Sequence, residues 1–325
     1  MKSIYIKDIR NKNEGDIEEI FVVIEQKIKP KRDGEPYIEL VLGDATGEIK
    51  GVAFENIDRL SRVLQPSNVI KVKAQIQKFG RDRNLKIVEA SEVSEFEIGD
   101  LVPMTDRSIT KMYAELMSYI ERVSNRYLKK LLLAFFDDPE FAEKFKMAPG
   151  AKKMHHAYIG GLLEHTLEVT KFADAAREVV PGLKRDILIA GGLLHDIGKV
   201  REYTWFPRID RTDEGRLMGH IVIGYEMARR KIRKIKGFPE ELAMHILHII
   251  LSHHGQQEWG SPIVPMTPES MIVHFADNMS AKLWMFQHVE VSSEGSRWSD
   301  FHRGLSRYVF LGGQEEEFNE EELPF

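Results

Sequence analysis

Two patterns of apolar residues divide the chain. Over residues 1–100 they come in five short runs: Ile20-Phe21-Val22-Val23-Ile24, Tyr37-Ile38-Glu39-Leu40-Val41-Leu42, Ile49-Lys50-Gly51-Val52-Ala53-Phe54, Val69-Ile70-Lys71-Val72-Lys73-Ala74 and Leu85-Lys86-Ile87-Val88. These runs are β-branched and partly alternating, and Pro30, Asp33-Gly34, Gly43-Asp44, Gly47 and Gly80 break them, which reads as strands and turns. Between the third and fourth, Glu55 to Leu64 has helical spacing. Leu101-Val102-Pro103 ends this unit, and over a connector, residues 101–148, the spacing from Ile109 to Phe136 predicts one long packing helix stopped by Asp137-Asp138-Pro139. From residue 149 to 311 the pattern is helical throughout. Helices are predicted to open at Gly160-Gly161, to end at His195-Asp196, to begin at Gly219-His220 and run Ile221 to Ile235, to span Pro239 to His254, and to start at Pro268.

Five strands with a helix between the third and fourth is the layout of an OB barrel, a fold that binds oligonucleotides. The fold class expected is therefore multidomain α and β: an N-terminal five-stranded OB barrel, then an all-α bundle. A composition of 42% hydrophobic and 30% charged residues is ordinary for a globular chain of this length. No apolar run approaches the length needed to span a bilayer, so no membrane partner is expected. The charged start, Met1 to Arg10, does not read as a signal peptide. With no cysteine there is neither a disulfide frame nor a thiolate metal site, which points to the cytoplasm and leaves metal binding to His, Asp and Glu. The net charge of −5 owes six negatives to Glu315-Glu316-Glu317 and Glu320-Glu321-Glu322, within an acidic, solvated tail expected over 312–325. Without them the chain is near neutral, and a polyanionic partner stays open.

The chemistry is concentrated in the second half. None of the twelve histidines precedes His155, and eleven lie between His155 and His288. The stretch Gly191-Gly192-Leu193-Leu194-His195-Asp196-Ile197-Gly198-Lys199 is an apolar helix delivering an imidazole, a carboxylate and an ammonium. Adjacent helical residues point about 100° apart, so His195 and Asp196 share a target only at a helix end, which Gly198 is expected to make in the left-handed conformation. His165 falls beside the apolar stripe Leu162, Val169, Phe172 or Ala173, and Ala176, and faces inward; alone, such a histidine is more often a hydrogen-bonded core residue than a ligand. Ser252-His253-His254-Gly255 closes another helix, and Asp277 sits amid apolar neighbours, where an unpaired carboxylate is costly and a metal is an economical partner. Mixed N/O donors of this kind suit Mn, Fe, Co, Ni or Zn.

The run Tyr37-Ile38-Glu39-Leu40-Val41-Leu42-Gly43-Asp44-Ala45-Thr46-Gly47-Glu48-Ile49 resembles nucleic-acid-binding OB domains. From Lys71 to Lys86 six basic residues, among them Lys71, Lys73, Lys78, Arg81 and Arg83, face one acid, Asp82, with Phe79 inside the run and Tyr37 and Phe54 on neighbouring strands. Basic side chains tracking phosphates beside stacking aromatics hold single strands without reading sequence. Taken singly, Phe54 and Phe79 are each expected to be core residues.

In order along the chain, His165, His195-Asp196, His220, His253-His254 and Asp277 resemble the HD superfamily of metal-dependent phosphohydrolases, and the extra histidines resemble its two-metal members. That resemblance implies His165, His195, Asp196 and Asp277 around one divalent cation, with Asp196 bridging to a second held by His220 and by His253 or His254. Lys199 would contact the scissile phosphate. With the barrel, and with Met154-His155-His156-Ala157-Tyr158-Ile159-Gly160-Gly161-Leu162-Leu163-Glu164-His165-Thr166 and Ser252-His253-His254-Gly255-Gln256-Gln257-Glu258-Trp259-Gly260-Ser261-Pro262, the chain resembles the YhaM-type 3′-to-5′ exoribonucleases. This implies catalysis by Asp196 and Lys199, single-stranded RNA as substrate, and Mn²⁺ as the leading cation. It places His156 either against substrate, behind the ligands or in a purely structural role. His245, His248, His274, His288 and His302 are read as structural. Gly260-Ser261-Pro262 departs from the Gly-Tyr-Pro of the HD-GYP cyclic-dinucleotide phosphodiesterases. Two rivals remain at this level: a hydrolase of free nucleotides or cyclic dinucleotides, and a non-catalytic nucleic-acid-binding factor. Single-stranded DNA as a second substrate and a homo-oligomer stay open.

Overall fold

The computed structural model describes residues 2–12, 14–80, 82–289, 291 and 296–312. The acidic clusters after residue 312 and Arg81 thus lie outside the described residues. A short helix, α1 (Ile6–Asn11), precedes five strands: β1 (Gly15–Pro30), β2 (Pro36–Asp44), β3 (Gly47–Ala53), β4 (Val69–Phe79) and β5 (Asp82–Glu92), with α2 (Ile57–Val63) between β3 and β4. They close in the order β1-β2-β3-β5-β4, β1 pairing with β4, so the sheet becomes a closed barrel. β1 can serve both neighbours because a register shift between Val23 and Glu25 bends it. Alternation fills the interior, as in Ile70, Val72, Ala74 and Ile76 of β4 against Ile38, Leu40 and Leu42 of β2. α1 was not foreseen in the charged start; it caps the barrel with Ile6 and Ile9, both fully buried, and Asp44 Oδ2 accepts from the Ile6 amide at 2.7 Å.

α3 (Ile98–Leu101) leads to three packing helices, α4 (Ile109–Glu121), α5 (Arg126–Phe136) and α6 (Pro139–Met147). The single helix expected over 109–136 is two. Asn125 caps α5 by accepting from the amides of Tyr127 and Leu128, and the amides of Ser124 and Asn125 donate to Asp186. Leu116, Leu132, Phe136 and Phe145 from these helices share one core with Leu163, Leu167, Leu188, Leu193, Ile249 and Val273.

α7 (Gly161–Val179), α8 (Arg185–Leu194), α9 (Lys199–Glu202), a two-residue ribbon of β6 (Tyr203–Thr204) and β7 (Asp210–Arg211), α10 (Asp213–Lys234), α11 (Glu240–Ser252) and α12 (Pro268–Gln287) complete the fold. α10 begins earlier than the expected Gly219: Thr212 caps it, and Gly219 instead interrupts it at φ 70°, ψ 155°. Among the described residues no helix is long and apolar enough to cross a membrane.

Candidate metal centre and nucleic-acid face

α8 ends at Leu194, so His195 and Asp196 leave the helix in the following turn. Gly198 does not make that turn by a left-handed conformation; its φ is −66°. Its need is space. A Cβ on Gly198 would lie 2.0 Å from the His220 carbonyl oxygen and 2.7 Å from the Gly224 amide. The turn therefore rests directly on the α10 backbone, which brings His220 beside His195 and Asp196. Gly255 is left-handed at φ +80°, and a Cβ there would meet the His274 ring at 2.1 Å. His274 Nδ1 donates to the His253 carbonyl at 2.8 Å, so this buried histidine fixes the turn carrying His253 and His254.

Around Asp196 two donor groups meet. His165, His195, Asp196 and Asp277 offer atoms all within 4.8 Å of one another, and so do His220, His253 and His254. Asp196 Oδ2 lies 3.3 Å from His195 Nε2 and 3.6 Å from His165 Nε2. Its Oδ1 lies 3.4 Å from His220 Nε2 and 3.5 Å from His253 Nε2. One carboxylate thus turns an oxygen to each group. Asp277 Oδ1 approaches His165 Nε2 at 3.0 Å.

The far side of each imidazole is anchored. Nδ1 of His195 donates to the Gly192 carbonyl at 2.7 Å, that of His253 to Ile250 at 2.8 Å, and that of His254 to Trp259 at 2.9 Å. His220 Nδ1 donates to the buried Glu202 carboxylate at 2.7 Å. His165 Nδ1 donates to Ser280 Oγ at 2.9 Å, whose hydroxyl in turn donates to Glu168 at 2.6 Å. A carbonyl or carboxylate can only accept, so the proton is held on Nδ1 and the Nε2 lone pair is aimed at the centre. Nε2 of His165 then faces Nε2 of His195 at 3.4 Å, and His220 faces His254 at 3.3 Å. Lone pairs opposed at that range suit a cation between them.

The electrostatics agree. Burial pushes His165 and His254 down to about 4 and lowers His253 as well, keeping these rings neutral. Burial also works against charge on His195, but the adjacent Asp196 carboxylate outweighs it and raises that ring. Asp196 is driven the other way: burial disfavours its charge, yet Lys199 and His195 hold it well below the carboxylate range. Lys199 Nζ is 2.6 Å from Asp196 Oδ2, a charge contact without hydrogen-bond alignment. Both Asp196 oxygens and His253 Nε2 are buried without a hydrogen-bond partner among the described residues. Orphaned donors of this type, nitrogen and oxygen with no thiolate, fit a divalent cation.

His156 lies behind this set, fully buried at φ +53°, its Nε2 3.5 Å from Glu168 Oε2. His155 was missed by sequence reasoning. Its Nδ1 is 3.3 Å from His156 Nδ1 and its ring 5.0 Å from that of His165, making a third trio with His156 and His165. Its adjacency to His156 was the available signal.

On the barrel, Tyr37 stacks on Phe54 with centroids 5.7 Å apart, and Lys31 Nζ lies 5.8 Å above the Phe54 ring. Phe54 is 39% exposed and Phe79, at the tip of the β4–β5 hairpin, 72%, so neither is a core residue. The basic run is not one open stripe. Lys71 pairs with Glu18 at 2.9 Å and Lys73 with Glu89 at 3.1 Å, and Arg83 Nε donates to the Lys12 carbonyl. Lys78 is exposed at the end of β4.

Residues 162–282 match the HD domain family model, and a helicase model, TraI_2, matches residues 104–180. Over 275 residues the chain is 30% identical to the 3′-5′ exoribonuclease YhaM of Geobacillus sp. (strain WCH70), covering 83% of this chain and 84% of that one. The chain belongs to the YhaM family. Identity to YhaM of Bacillus subtilis (strain 168) is 31% over 78% of this chain and 81% of the relative, and to YhaM of Listeria innocua 28% over 91% and 95%. The alignments with YhaM cover most of the chain, well beyond the 162–282 HD segment.

Proposed function

We propose that this protein is a metal-dependent 3′-to-5′ exoribonuclease that shortens single-stranded RNA to nucleoside 5′-monophosphates. The observation that carries the reading is Asp196, a buried carboxylate with one oxygen toward each of two histidine groups in a chain of the YhaM family. His165, His195, Asp196 and Asp277 would hold one cation, and Asp196, His220, His253 and His254 a second, with Mn²⁺ expected and Fe, Co, Ni or Zn suited to the same donors. When bound, such a pair supplies Lewis-acid charge to the phosphate and makes hydroxide available near neutral pH.

The chain's own residues do the rest. Release of a 5′-monophosphate adds water across the bond between phosphorus and the 3′ oxygen of the preceding nucleotide: the water oxygen bonds to phosphorus as that bond breaks, and the proton it gives up ends on the 3′ oxygen, which leaves as a hydroxyl. Lys199, buried and kept charged by Asp196, offsets negative charge growing on the phosphoryl oxygens. The Nδ1 anchors keep the imidazoles from reorienting, so little rearrangement is needed at the moment of reaction. His156 and His155 wall the first donor group, while Tyr37, Phe54 and Lys31 offer upstream bases a stacking face.

The test is degradation of 5′-labelled and 3′-labelled single-stranded RNA with Mn²⁺. A ladder shortening from the 3′ end and early release of labelled monophosphate are expected, with loss of both in EDTA. Full activity in EDTA, or turnover of dNTPs or cyclic dinucleotides in place of RNA, would overturn the proposal. A parallel DNA arm shows whether the sugar is read.

A further inference from the structure

Residues 296–312 form a small antiparallel hairpin that neither the ligand set nor the barrel accounts for. Trp298 pairs with Phe310 and His302 with Arg307 across it, and the Ser299 amide donates to Val309 at 2.9 Å. Leu305 and Val309 are buried against Met285, Trp284 and Val289, so α12 holds the hairpin in place. Its other face is aromatic. Trp298, Phe301, Tyr308 and Phe310 are each more than half exposed and form two ring pairs, Trp298–Phe310 at 5.1 Å and Phe301–Tyr308 at 5.3 Å. Arg297 lies 5.2 Å over Phe310; Arg303 and Arg307 are exposed, Arg307 Nε donating to the Leu305 carbonyl at 3.0 Å, and Asp300 is the acid of the hairpin.

This face continues into the catalytic region. A cavity of about 470 Å³ between hairpin and α12 is lined by Lys153, Trp284, His288, Phe301 and Arg303, with Asp300 the one acid among the described residues that line it. Trp284 stacks on His288 at 3.9 Å and reaches the His156 ring at 5.7 Å. Lys153 also lines the cleft between the barrel turn at Thr46–Glu48 and the helical half. His155 and His156 follow Lys153 by two and three residues.

We infer that the hairpin is a second single-strand binding platform, on which bases of the RNA stack while Arg297, Arg303, Arg307 and Lys153 track its phosphates. Exposed rings interleaved with arginines meet the demands of single-stranded nucleic acid, in which every base has a face to stack and every linkage a charge. A second copy of the chain is the poorer occupant: self-association would bring together two copies of a patch with three arginines and one acid, whereas a nucleic-acid strand brings the opposite charge. The inference rests on the exoribonuclease reading only for the identity of the strand as RNA.

The experiment measures binding of a fluorescent oligoribonucleotide with phosphorothioate linkages at its 3′ end, by anisotropy, to the metal-loaded full chain over a series of salt concentrations. The Trp298→Ala/Phe310→Ala pair is expected to raise Kd roughly ten-fold or more, the range found when stacking rings are removed. Arg303→Gln, a milder surface change, is expected to lower the salt slope by about one. Melting temperature and bound metal should match the parent for both. Unchanged Kd and slope in properly folded variants overturn the inference. So does a change in sedimentation from dimer to monomer with RNA binding intact, which assigns the face to self-association. If the parent binds RNA through these residues but does not shorten it, the exoribonuclease reading fails and the platform stands.

Discussion

Oδ1 of Asp196 faces Nε2 of His220 across 3.4 Å, while the other oxygen of the same carboxylate lies 3.3 Å from His195. Both donor groups therefore depend on one side chain, and removing it should empty both. Asp196→Ala is expected to retain its helical circular dichroism, lose bound metal at both positions and lose RNA degradation by at least roughly a thousand-fold, as when one member of a concerted set is deleted. Asp277→Ala, which touches one group only, should keep the cation of the other. Metal analysis of the two purified variants decides this; equal metal content in both would refute the shared carboxylate.

The anchors behind the imidazoles make a separate prediction. Glu202 accepts from His220 and is itself met by Arg211 at 3.2 Å, and Ser280 accepts from His165. Glu202→Gln and Ser280→Ala should each weaken cation affinity about 10–100-fold. Activity should return when Mn²⁺ is raised, because the direct donors remain. Chelator competition measures the affinity, and variants that hold metal as tightly as the parent would remove these two side chains from any positioning role.

Gly198→Ala looks favourable by helix propensity, since alanine is the better helix former. The packing reverses that expectation: the added methyl would sit 2.0 Å from the His220 carbonyl. Backbone cannot move aside as a flexible side chain can, so a loss of about 1–3 kcal/mol is expected, the range of overpacked cores. The displaced α10 should also carry His220 away from Asp196. Thermal melting and metal content test both halves, and a variant as stable as the parent sinks the packing argument.

The neutral histidines set the acid limit of the metal-stripped protein. Burial lowers His165 and His254 to about 4 from an ordinary value of 6.5, and it takes His155 well below that value and His253 in the same direction. A base with a depressed folded-state pKa binds fewer protons folded than unfolded, so its stabilising contribution is present above 6.5 and is lost as the pH falls toward 4. His195, raised by Asp196, acts oppositely, one ring against four. The melting midpoint should fall between about pH 6.5 and pH 4, and above pH 7 change only by what His195 loses on deprotonation. Asp196 and Asp277, both depressed, add their loss below that window. A midpoint flat or rising across the window contradicts the buried neutral state.

Much of the fold was legible because period and punctuation agree. The alternation of β4 and the turn residues of the first hundred positions can satisfy few folds but a closed barrel. The convergence of His165, His195, Asp196, His220, His253, His254 and Asp277 was legible only in combination, since each residue alone has a bland reading. What escaped is tertiary. Ser124-Asn125 is an ordinary polar pair until Asp186 accepts from both amides and splits the helix. Gly198 gives the same letter for a left-handed stop and for a backbone approach. The exposure of Phe79 follows from its place at a hairpin tip rather than from its type.

One continuous rod, Pro268–Gln287, presents Asp277 to the first donor group, Ser280 to His165 and Met285 to the terminal hairpin. From Asp277 to Met285 is about 12 Å of helix with no joint between. The hairpin and the Asp277 carboxylate are thus carried by one and the same helix. With RNA on the hairpin, grip on the strand and the placing of Asp277 would share one support.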